Sequence, residues 1–386
     1  MSLKRSVRRP LFFNLAFMFL CIGFTARIPS LAKERCGSMK IIKEKFGKTA
    51  SGQNVDLITL TNGRDMTVKI ATYGGIVTEL WVPDRHGQAG DVVLGFDNLD
   101  RYLAGHPYFG ALIGRYGNRI AKGTFTLDGA TYTLAGNDHG NQLHGGTIGY
   151  DKVVWAASEV KSADGVGVEL RYLSPDKEEG YPGNLNVVVT YRLTRSNELK
   201  IDYQATTDKA TPVNLTHHSY FNLAGAGKGD ILGHEAWFAA DRYTVVDKQL
   251  IPTGEVRSVE GTPFDFRKVK AIGRDIAQVE GGYDHNWVLE RKQPGLMLAA
   301  RFVEPVSGRV MEMWTTEPAM QFYTGNFLDG MIRGKGGLVY PLHGAFCLEA
   351  QHYPDSPNRP DFPSTILMPG QTYRQQTVYR FFVRQQ

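Results

Sequence analysis

The amino-acid sequence predicts an all-β fold, a large antiparallel β-sandwich, and two observations support this prediction. First, from about Ile41 onward short runs rich in β-branched and aromatic residues alternate with Gly, Asn and Asp turn signals, as in MTVKIATYGG, GVGVELRYLSPD and LMLAARFVEPVSG. Second, amphipathic helical periodicity is scarce, and only residues 266–279 are expected to hold one short helix. Because no linker divides this body of about 345 residues, we predict one large sandwich rather than two fused ones.

The clearest pair of strands lies in NLNVVVTYRLTRSNELKIDYQATTD. Val187–Leu193 and Leu199–Ala205 are strand-like, and the turn-forming residues Thr194–Asn197 separate them. Two such runs joined by a short polar segment are typical of an antiparallel β-hairpin.

The N-terminus has the pattern of an export signal. A basic segment, KRSVRR, precedes the apolar run LFFNLAFMFLCIGFTA. We therefore predict a signal peptide and leader over residues 1–32, an uncertain cleavage site, and a periplasm-like location for the mature protein. The alternative is an uncleaved N-terminal anchor, although the apolar run is shorter than the ~20 residues that a spanning helix needs.

The charge of the chain does not indicate a nucleic-acid partner. The formal net charge is +5, but residues 1–39 contain seven basic residues and one acidic residue. The remainder therefore carries a net charge of −1, and no basic face is expected on it.

The sequence offers neither a disulfide framework nor a recognisable cofactor motif. Its three cysteines are Cys21, Cys36 and Cys347, and the first of them lies in the predicted signal. No histidines fall into a metal-ligand spacing, and adjacent His217 and His218 on a strand cannot chelate one ion together. Glycine-rich phosphate loops are also absent from the sequence. We therefore expect no metal and no cofactor.

The stretch VNLTHHSYFNLAG reads as a strand whose alternate residues point to opposite faces. One face is largely apolar and includes His217, which we expect to be a core histidine or a support for a neighbouring strand. The other face is polar: Asn214, Thr216, His218, Tyr220 and Asn222. Such a row either faces solvent or lines a polar pocket, and both readings stay open at this point.

Further isolated polar residues lie in strand-like or glycine-rich surroundings. They are Glu349 in FCLEAQ, Asp284 in GGYDHNW, Gln321 in QFYTGN, Asn118 and Arg119 in GNRI, and His144 in NQLHGG. Glu349 follows an apolar run, so it is either buried for a purpose or lies on an edge strand facing water. Amides and carboxylates suit sugar hydroxyls, and a carboxylate with a histidine supplies a base and an acid.

At these residues the chain closely resembles the aldose 1-epimerase, or galactose mutarotase, family. The resemblance extends from about Phe46 to Phe381 and rests on ten segments in order. They are YGGIVTELWVPDRHG, DVVLGFDNLDRY, GALIGRYGNRIAKGTFTLDG, NQLHGG, TPVNLTHHSYFNLAG, GTPFDFR, GGYDHNW, QFYTGNFLDG, FCLEAQHYPDSPN and LMPGQTYRQQTVYRF. It implies a single mutarotase-like β-sandwich domain over residues 40–386, with a shallow carbohydrate cleft.

The resemblance also implies the roles of individual residues. Glu349 matches the general base and His218 the general acid that interconvert the α- and β-anomers of a free aldohexose. Sugar contacts are implied for Asn118, Arg119, His144, Asp284 and Gln321. The family usually has Asn where this chain has His217, which puts one supporting hydrogen bond in doubt.

Three rival functions are compatible with parts of the pattern. A hexose-phosphate epimerase would need additional cations around the phosphate. A glycoside hydrolase would use Glu349 and Asp284 as a carboxylate pair flanking the scissile bond. A non-catalytic sugar-binding protein would not need the acid and base that are present here.

Overall fold

Strands are the main regular secondary structure of the described residues, as the alternating sequence pattern predicts. The computed structural model describes residues 37–385. In Leu185–Thr194 every second residue is buried from Leu185 to Leu193, because successive side chains on a strand point to opposite faces.

The strands are given in chain order. The first are β1 (Lys40–Lys48), β2 (Asn54–Thr61), β3 (Thr67–Ala71), β4 (Val77–Pro83), β5 (Ala89–Asp91), β6 (Ala111–Ile113), β7 (Arg119–Ile120), β8 (Thr124–Leu127), β9 (Ala130–Thr133), β10 (Gln142–Leu143), β11 (Ala156–Lys161), β12 (Gly165–Ser174), β13 (Leu185–Thr194) and β14 (Glu198–Thr207). They are followed by β15 (Thr211–Pro212), β16 (Thr216–His218), β17 (Glu235–Phe238), β18 (Ala240–Val246), β19 (Pro252–Ser258), β20 (Lys270–Ala271), β21 (Asp284–Leu289), β22 (Met297–Val303), β23 (Arg309–Thr315), β24 (Ala319–Tyr323), β25 (Cys347–Gln351), β26 (Ile366–Leu367) and β27 (Tyr373–Val383).

Three large sheets dominate the architecture. A nine-stranded sheet has the order β11-β12-β13-β14-β27-β23-β22-β17-β20, and two five-stranded sheets have the orders β1-β2-β3-β4-β5 and β19-β18-β21-β24-β25. Neighbouring strands in them are antiparallel. Four short pairs complete the topology: β6-β16, β7-β10, β8-β9 and β15-β26. The predicted all-β antiparallel class is confirmed.

The hairpin β13–β14 forms where the sequence predicts it. Leu193 pairs with Leu199 across the turn, and Asn197 takes a left-handed backbone conformation with φ of 60°. Asparagine tolerates this conformation better than most residues, which explains its position in a tight turn.

The main hydrophobic core draws side chains from all three large sheets. It includes Leu60 of β2, Leu170 of β12, Val189 of β13, Trp287 of β21 and Phe322 of β24, all of them buried. One contiguous cluster between sheets is the arrangement expected of a β-sandwich.

Helical structure is minor in the described residues. One α-helix, α1 (Leu99–Leu103), is capped by Asn98, whose side chain accepts a hydrogen bond from the Arg101 amide. Single 3₁₀ turns occupy Ala121–Gly123, Tyr150–Lys152, Glu178–Gly180, Ile272–Arg274, Ile276–Gln278, Lys335–Gly337 and Ser356–Asn358.

The short helix predicted within residues 266–279 is wrong. That segment holds β20 and two separate 3₁₀ turns. The amides of Ile272 and Gly273 donate to the carbonyls of His234 and Leu232, at 2.9 Å each, rather than to carbonyls one helical turn earlier. Tertiary pairing with the 231–234 segment thus overrides the helical pattern.

The described residues, 37–385, form one compact unit. The predicted signal peptide over residues 1–32 lies outside the described residues. In the part of the chain that the structure describes, no helix has the length and apolar character needed to cross a membrane.

Candidate active site

A buried polar face runs across three neighbouring strands. Asn286 of β21 lies opposite Gln321 of β24, which lies opposite Glu349 of β25. Residues paired in register share one face of the sheet. Asp284 and Gln351 lie two positions from Asn286 and Glu349 and therefore share that face. Residues that are isolated in the sequence thus form one polar surface.

The opposite face of the same strands belongs to the core. Trp287, Phe322 and Leu348 are fully buried there, and His285 lies on the same side, with its ring 4.7 Å from that of Phe264. The predicted separation of Asp284 from its neighbour His285 is confirmed. Strand alternation is therefore the local reason why the polar side chains converge.

Glu349 is buried although β25 is the edge strand of its sheet. The short strand β16 packs beside β25 and shields it from solvent. The alternative in which Glu349 faces water is wrong. A carboxylate that is only 2% exposed is costly in a fold unless it is paired or used.

His218 ends β16 and faces Glu349. Its Nε2 atom lies 3.6 Å from the Glu349 Oε1 atom, and both side chains are almost completely buried. The imidazole stacks on Tyr220 with ring centroids 5.1 Å apart and meets the edge of His144 at 5.2 Å. An acid–base pair is thereby assembled from two segments that are distant in sequence.

His217 points away from His218, into the core. Its Nε2 atom donates to the Gly110 carbonyl at 3.0 Å, and its ring contacts Tyr191 and Tyr379. The Gly110 amide in turn donates to the His218 carbonyl at 3.1 Å. His217 is therefore a core histidine that tethers Gly110, immediately before β6, to the neighbouring strand β16.

The polar row predicted around His218 reaches the cleft only in part. His218 and Tyr220 line it, whereas Asn214 and Asn222 bond to backbone carbonyls of Gly117 and Gly344. The regular strand is only three residues long, so alternation does not continue through the whole segment.

Two loop residues on the other wall of the cleft are held in a strained backbone conformation. Asn118 and His144 have φ values of 61° and 50°. They lie beside the short ladder β7–β10 and bond reciprocally: the His144 amide donates to the Asn118 carbonyl, and the Asn118 amide donates to His144 Nδ1 at 3.1 Å. Left-handed residues of this kind are uncommon and concentrate at functional sites.

The glycine after His144 allows its loop to lie directly against the Gly114 backbone. Gly145 has φ of 89°, and a Cβ atom there would lie 1.8 Å from the Gly114 carbonyl oxygen. Only glycine fits that position.

The bond to Nδ1 also determines the tautomer of His144. Burial lowers its pKa well below the usual value, so the ring is neutral. Since Nδ1 accepts the Asn118 amide, the single ring proton resides on Nε2. His144 therefore presents a hydrogen-bond donor rather than a lone pair.

Arg119 supplies the permanent positive charge of the cleft. Its Nε atom donates to Asp138 Oδ2 at 2.7 Å, and its backbone amide donates to the Asn118 side chain. The salt bridge holds the guanidinium at the cleft while its terminal nitrogens remain for a ligand.

Burial shifts the pKa values of the acid–base pair in opposite directions. It raises the pKa of Glu349 well above its ordinary value, and the nearby Asp284 charge raises it further while Arg119 lowers it. Burial lowers the pKa of His218 to about 4. Burial also raises the pKa of Asp284, against the opposing effects of Arg119 and the Gln321 hydrogen bond. Perturbed carboxyl and imidazole groups in a cleft are typical of a catalytic site.

His144, His218 and Glu349 form a cluster of potential metal-ligating side chains. One atom from each lies within 4.8 Å of the others. However, the tautomer of His144 turns an N–H group outward, and a metal would need the lone pair instead. The three side chains fit a hydrogen-bonding and proton-transfer site better than a metal site.

The cleft is small, with a cavity volume of about 100 Å³, below the roughly 300–1,000 Å³ of drug-sized ligand pockets, so it suits no ligand larger than one sugar ring. Its lining residues are Pro107, Tyr108, Asn118, Arg119, Leu143, His144, His218, Tyr220, Asp284, Tyr323, Phe327 and Glu349. Six of the seven predicted site residues thus come together. The structure places the seventh, Gln321, behind Asp284, to which its Nε2 atom donates at 2.7 Å.

Sequence reasoning missed the aromatic walls of the cleft. Tyr108, with φ of 62°, packs its ring against His144 at 4.6 Å, and Tyr323 stacks with the exposed Phe327 at 5.9 Å. In the sequence, Tyr323 lies two residues after Gln321 in a strand-like run and therefore shares its face, which is a signal for Tyr323 but not for Tyr108 or Phe327. Aromatic faces of this kind suit the apolar side of a sugar ring.

Fold and site together define a class: a β-sandwich enzyme that performs acid–base chemistry on a small carbohydrate. Comparison with known families makes the assignment specific. Residues 56–380 match the family described as Aldose 1-epimerase, and the chain belongs to that family.

Relatives with similar sequences support the same assignment. The chain is 50% identical over 345 residues to galactose mutarotase from Homo sapiens and 47% identical over 346 residues to galactose mutarotase from Sus scrofa. It is 38% identical over 348 residues to aldose 1-epimerase from Escherichia coli. Each alignment covers 88–89% of this chain and 99% of the relative.

Solved structures show the same fold. A crystal structure of an aldose epimerase homologue from C. elegans has a TM-score of 0.79 at 30% identity, covering 90% of this chain and all of the other. Galactose 1-epimerase from Lactobacillus acidophilus also has a TM-score of 0.79, at 26% identity and the same coverage.

Proposed function

We propose that the protein is an aldose 1-epimerase that interconverts the α- and β-anomers of free aldohexoses such as glucose and galactose. The observation that carries this proposal is the buried pair of Glu349 and His218, whose reacting atoms lie 3.6 Å apart in a cleft sized for one sugar. The galactose mutarotases and the aldose 1-epimerase among its relatives support the same reaction.

Ring opening requires one proton to leave and one to arrive. Glu349 as carboxylate removes the proton of the anomeric hydroxyl, and His218 as imidazolium protonates the ring oxygen. The bond between the anomeric carbon and the ring oxygen breaks, and an open-chain aldehyde forms. After rotation about the bond between the first two carbons, the ring closes on the other face and both protons return.

The opposite pKa shifts determine which member of the acid–base pair holds the proton before a sugar binds. Each group must donate a proton in one half of the reaction and accept it in the other. Burial raises the pKa of Glu349 and lowers that of His218 to about 4, so in the empty cleft the proton belongs on Glu349 rather than on His218. Ring opening as proposed needs that proton on His218, and the Arg119 charge, which lowers the pKa of Glu349, favours the carboxylate form that this requires.

His144 and Arg119 assist at the oxygens where charge changes. The Nε2–H group of His144 and the guanidinium of Arg119 both face the cleft as donors. Fixed donors in a dry site stabilise developing negative charge without reorganising. Asp284, half-buried in the cleft wall, offers an acceptor for a sugar hydroxyl.

The charge of the cleft disfavours a phosphosugar substrate. Among its lining residues in the described chain, Arg119 is the single permanent cation, and it already pairs with Asp138. Asp284 and Glu349 would repel a phosphate dianion. A glycoside hydrolase using the same two carboxylates would need room for a second sugar, and the cleft suits one.

We further propose that the protein is exported and that its leader is removed. The basic KRSVRR segment followed by an apolar run supports this proposal. Fractionation of cells producing the full chain, with mass determination of the product, tests it. A mature protein beginning near residues 27–33 in the periplasmic fraction is expected. Recovery of the intact chain with the membranes would instead indicate an anchor, and recovery from the cytosol would contradict export.

Polarimetry on freshly dissolved α-D-glucose and α-D-galactose tests the proposed reaction. We expect the optical rotation to reach its equilibrium value faster in proportion to the enzyme concentration. Glu349→Gln serves as the matched control, because it keeps the shape of the side chain and removes the base. No acceleration by the wild-type protein with either sugar would refute the proposal.

A further inference from the structure

Gln351 is a fully buried amide that lies two residues beyond Glu349 and outside the cleft lining. Its Nε2 group donates to two neighbouring amides, to Asn286 Oδ1 at 3.1 Å and to Gln321 Oε1 at 3.4 Å. All three side chains lie on the polar face shared by β21, β24 and β25.

These bonds determine which way round the Gln321 amide sits. An amide has one accepting end and one donating end. Because Gln351 supplies a donor to Oε1, the NH₂ group of Gln321 must point the other way, and there it donates to Asp284 Oδ1 at 2.7 Å. If Gln321 were reversed, its oxygen would face the Asp284 carboxylate and repel it.

Stability alone does not account for this arrangement. Gln351 Oε1 and Asn286 Nδ2 are buried without a protein partner. Buried polar atoms without partners cost free energy, and apolar side chains of the same size would avoid that cost. Amides at these positions therefore suggest a role in function rather than in packing.

We propose that Gln351 is a positioning residue for sugar binding. It orients Gln321, and Gln321 in turn holds the Asp284 carboxylate in the cleft as an acceptor for a sugar hydroxyl. Gln351 touches neither the sugar nor the reacting atoms. This inference rests on the proposed epimerase function, because it assigns Asp284 to a bound aldose.

Gln351→Met and Gln351→Glu test the role without a large change in volume. The methionine variant removes both donors, and a buried, protonated glutamate keeps only one O–H donor for two acceptors. We expect KM for glucose to rise about three- to tenfold in each, with kcat changed less than twofold, since the lost effect is on binding.

Gln375→Met is the matched control. Gln375 is also a buried amide, and its Nε2 atom donates to the Ala350 carbonyl, next to Gln351, without contacting the Gln321–Asp284 pair. Its loss should lower the melting temperature about as much as Gln351→Met does, while KM stays within twofold of the wild-type value.

A double-mutant cycle separates positioning from general damage. In a Gln321→Met background, Gln351→Met should change KM no further, because the residue that transmits its effect is gone. An equal rise in KM in both backgrounds, or an unchanged KM in both Gln351 variants, would overturn the positioning role. If the epimerase proposal itself fails, the wild type and all variants will be inactive. If only the positioning role fails, the wild type and Gln375→Met will still be active in the same assay.

Discussion

The neighbouring residues His217 and His218 allow the site assignment to be tested, because only His218 faces the cleft and the same substitution can be made at both. Replacing His218 by Asn removes the proposed acid while keeping a polar side chain. General acid catalysis typically contributes 10²- to 10⁴-fold, which is about 2.7 to 5.4 kcal/mol of transition-state stabilisation. We therefore expect kcat for glucose mutarotation to fall by about that factor in His218→Asn, while the protein stays folded.

His217→Asn should have the opposite balance of effects. The His217 ring contacts Tyr191 and Tyr379 in the core, and its Nε2 atom donates to Gly110 at 3.0 Å. Losing these contacts should cost about 1 to 3 kcal/mol of folding free energy, and an asparagine amide can recover part of it. Because the ring does not reach the cleft, kcat should change less than about threefold.

Polarimetry gives kcat, and denaturant unfolding gives the free energy of unfolding for each variant. Equal losses of kcat in His217→Asn and His218→Asn would refute the assignment of the two residues to opposite faces. So would a destabilised but active His218→Asn protein.

Three further predictions concern charge, backbone and metal. The decline of kcat/KM at high pH reflects loss of the proton shared by Glu349 and His218. The Asp284 charge raises the pKa of Glu349, and the Arg119 charge lowers it. Asp284→Asn should therefore move this decline to lower pH, and Arg119→Met should move it to higher pH. Shifts in the same direction would contradict the charge assignment. Gly145→Ala should abolish activity or folding. Gly140 is the control: its φ is 84°, but nothing lies within 4 Å of its Cβ position, so Gly140→Ala should lower the free energy of unfolding by about 1 kcal/mol and remain active. Denaturant unfolding and polarimetry of both variants check this. Dialysis against EDTA should leave kcat unchanged. A loss of activity that Zn²⁺ restores would contradict the proposed mechanism, which uses no metal ion.

The sequence allowed the fold class and the faces of key strands to be predicted, because both follow from local alternation. His217 and His218, like Asp284 and His285, lie on opposite faces as a period of two requires. The hairpin β13–β14 was equally local, with turn residues between two strand-like runs.

Features that depend on distant segments could not be predicted in the same way. The burial of Glu349 on an edge strand depends on β16, whose sequence position is about 130 residues earlier. Residues 266–279 do not form the predicted helix, because amides in this segment bond to carbonyls of the 231–234 segment instead. Tyr108 reaches the cleft through a left-handed loop conformation that no local pattern signals.

The site residues themselves were found mainly through the resemblance to a known family. Alternation alone left the polar row of VNLTHHSYFNLAG open to either solvent or a pocket. The structure shows why that ambiguity was real: His218 and Tyr220 line the cleft, whereas Asn214 bonds to backbone. Gln351 carried no sequence signal that distinguishes it from any buried amide.

Retention of the anomeric oxygen tests the central claim most directly. If Glu349 and His218 open and close the sugar ring, the oxygen on the anomeric carbon stays attached throughout. Anomerisation of α-D-glucose in H₂¹⁸O, followed by ¹³C NMR, should then be accelerated by the enzyme without faster entry of ¹⁸O at that carbon. If ¹⁸O enters at the same rate as the anomers interconvert, ring opening is contradicted. Water would then be displacing the anomeric hydroxyl, with Glu349 and Asp284 acting as the carboxylate pair.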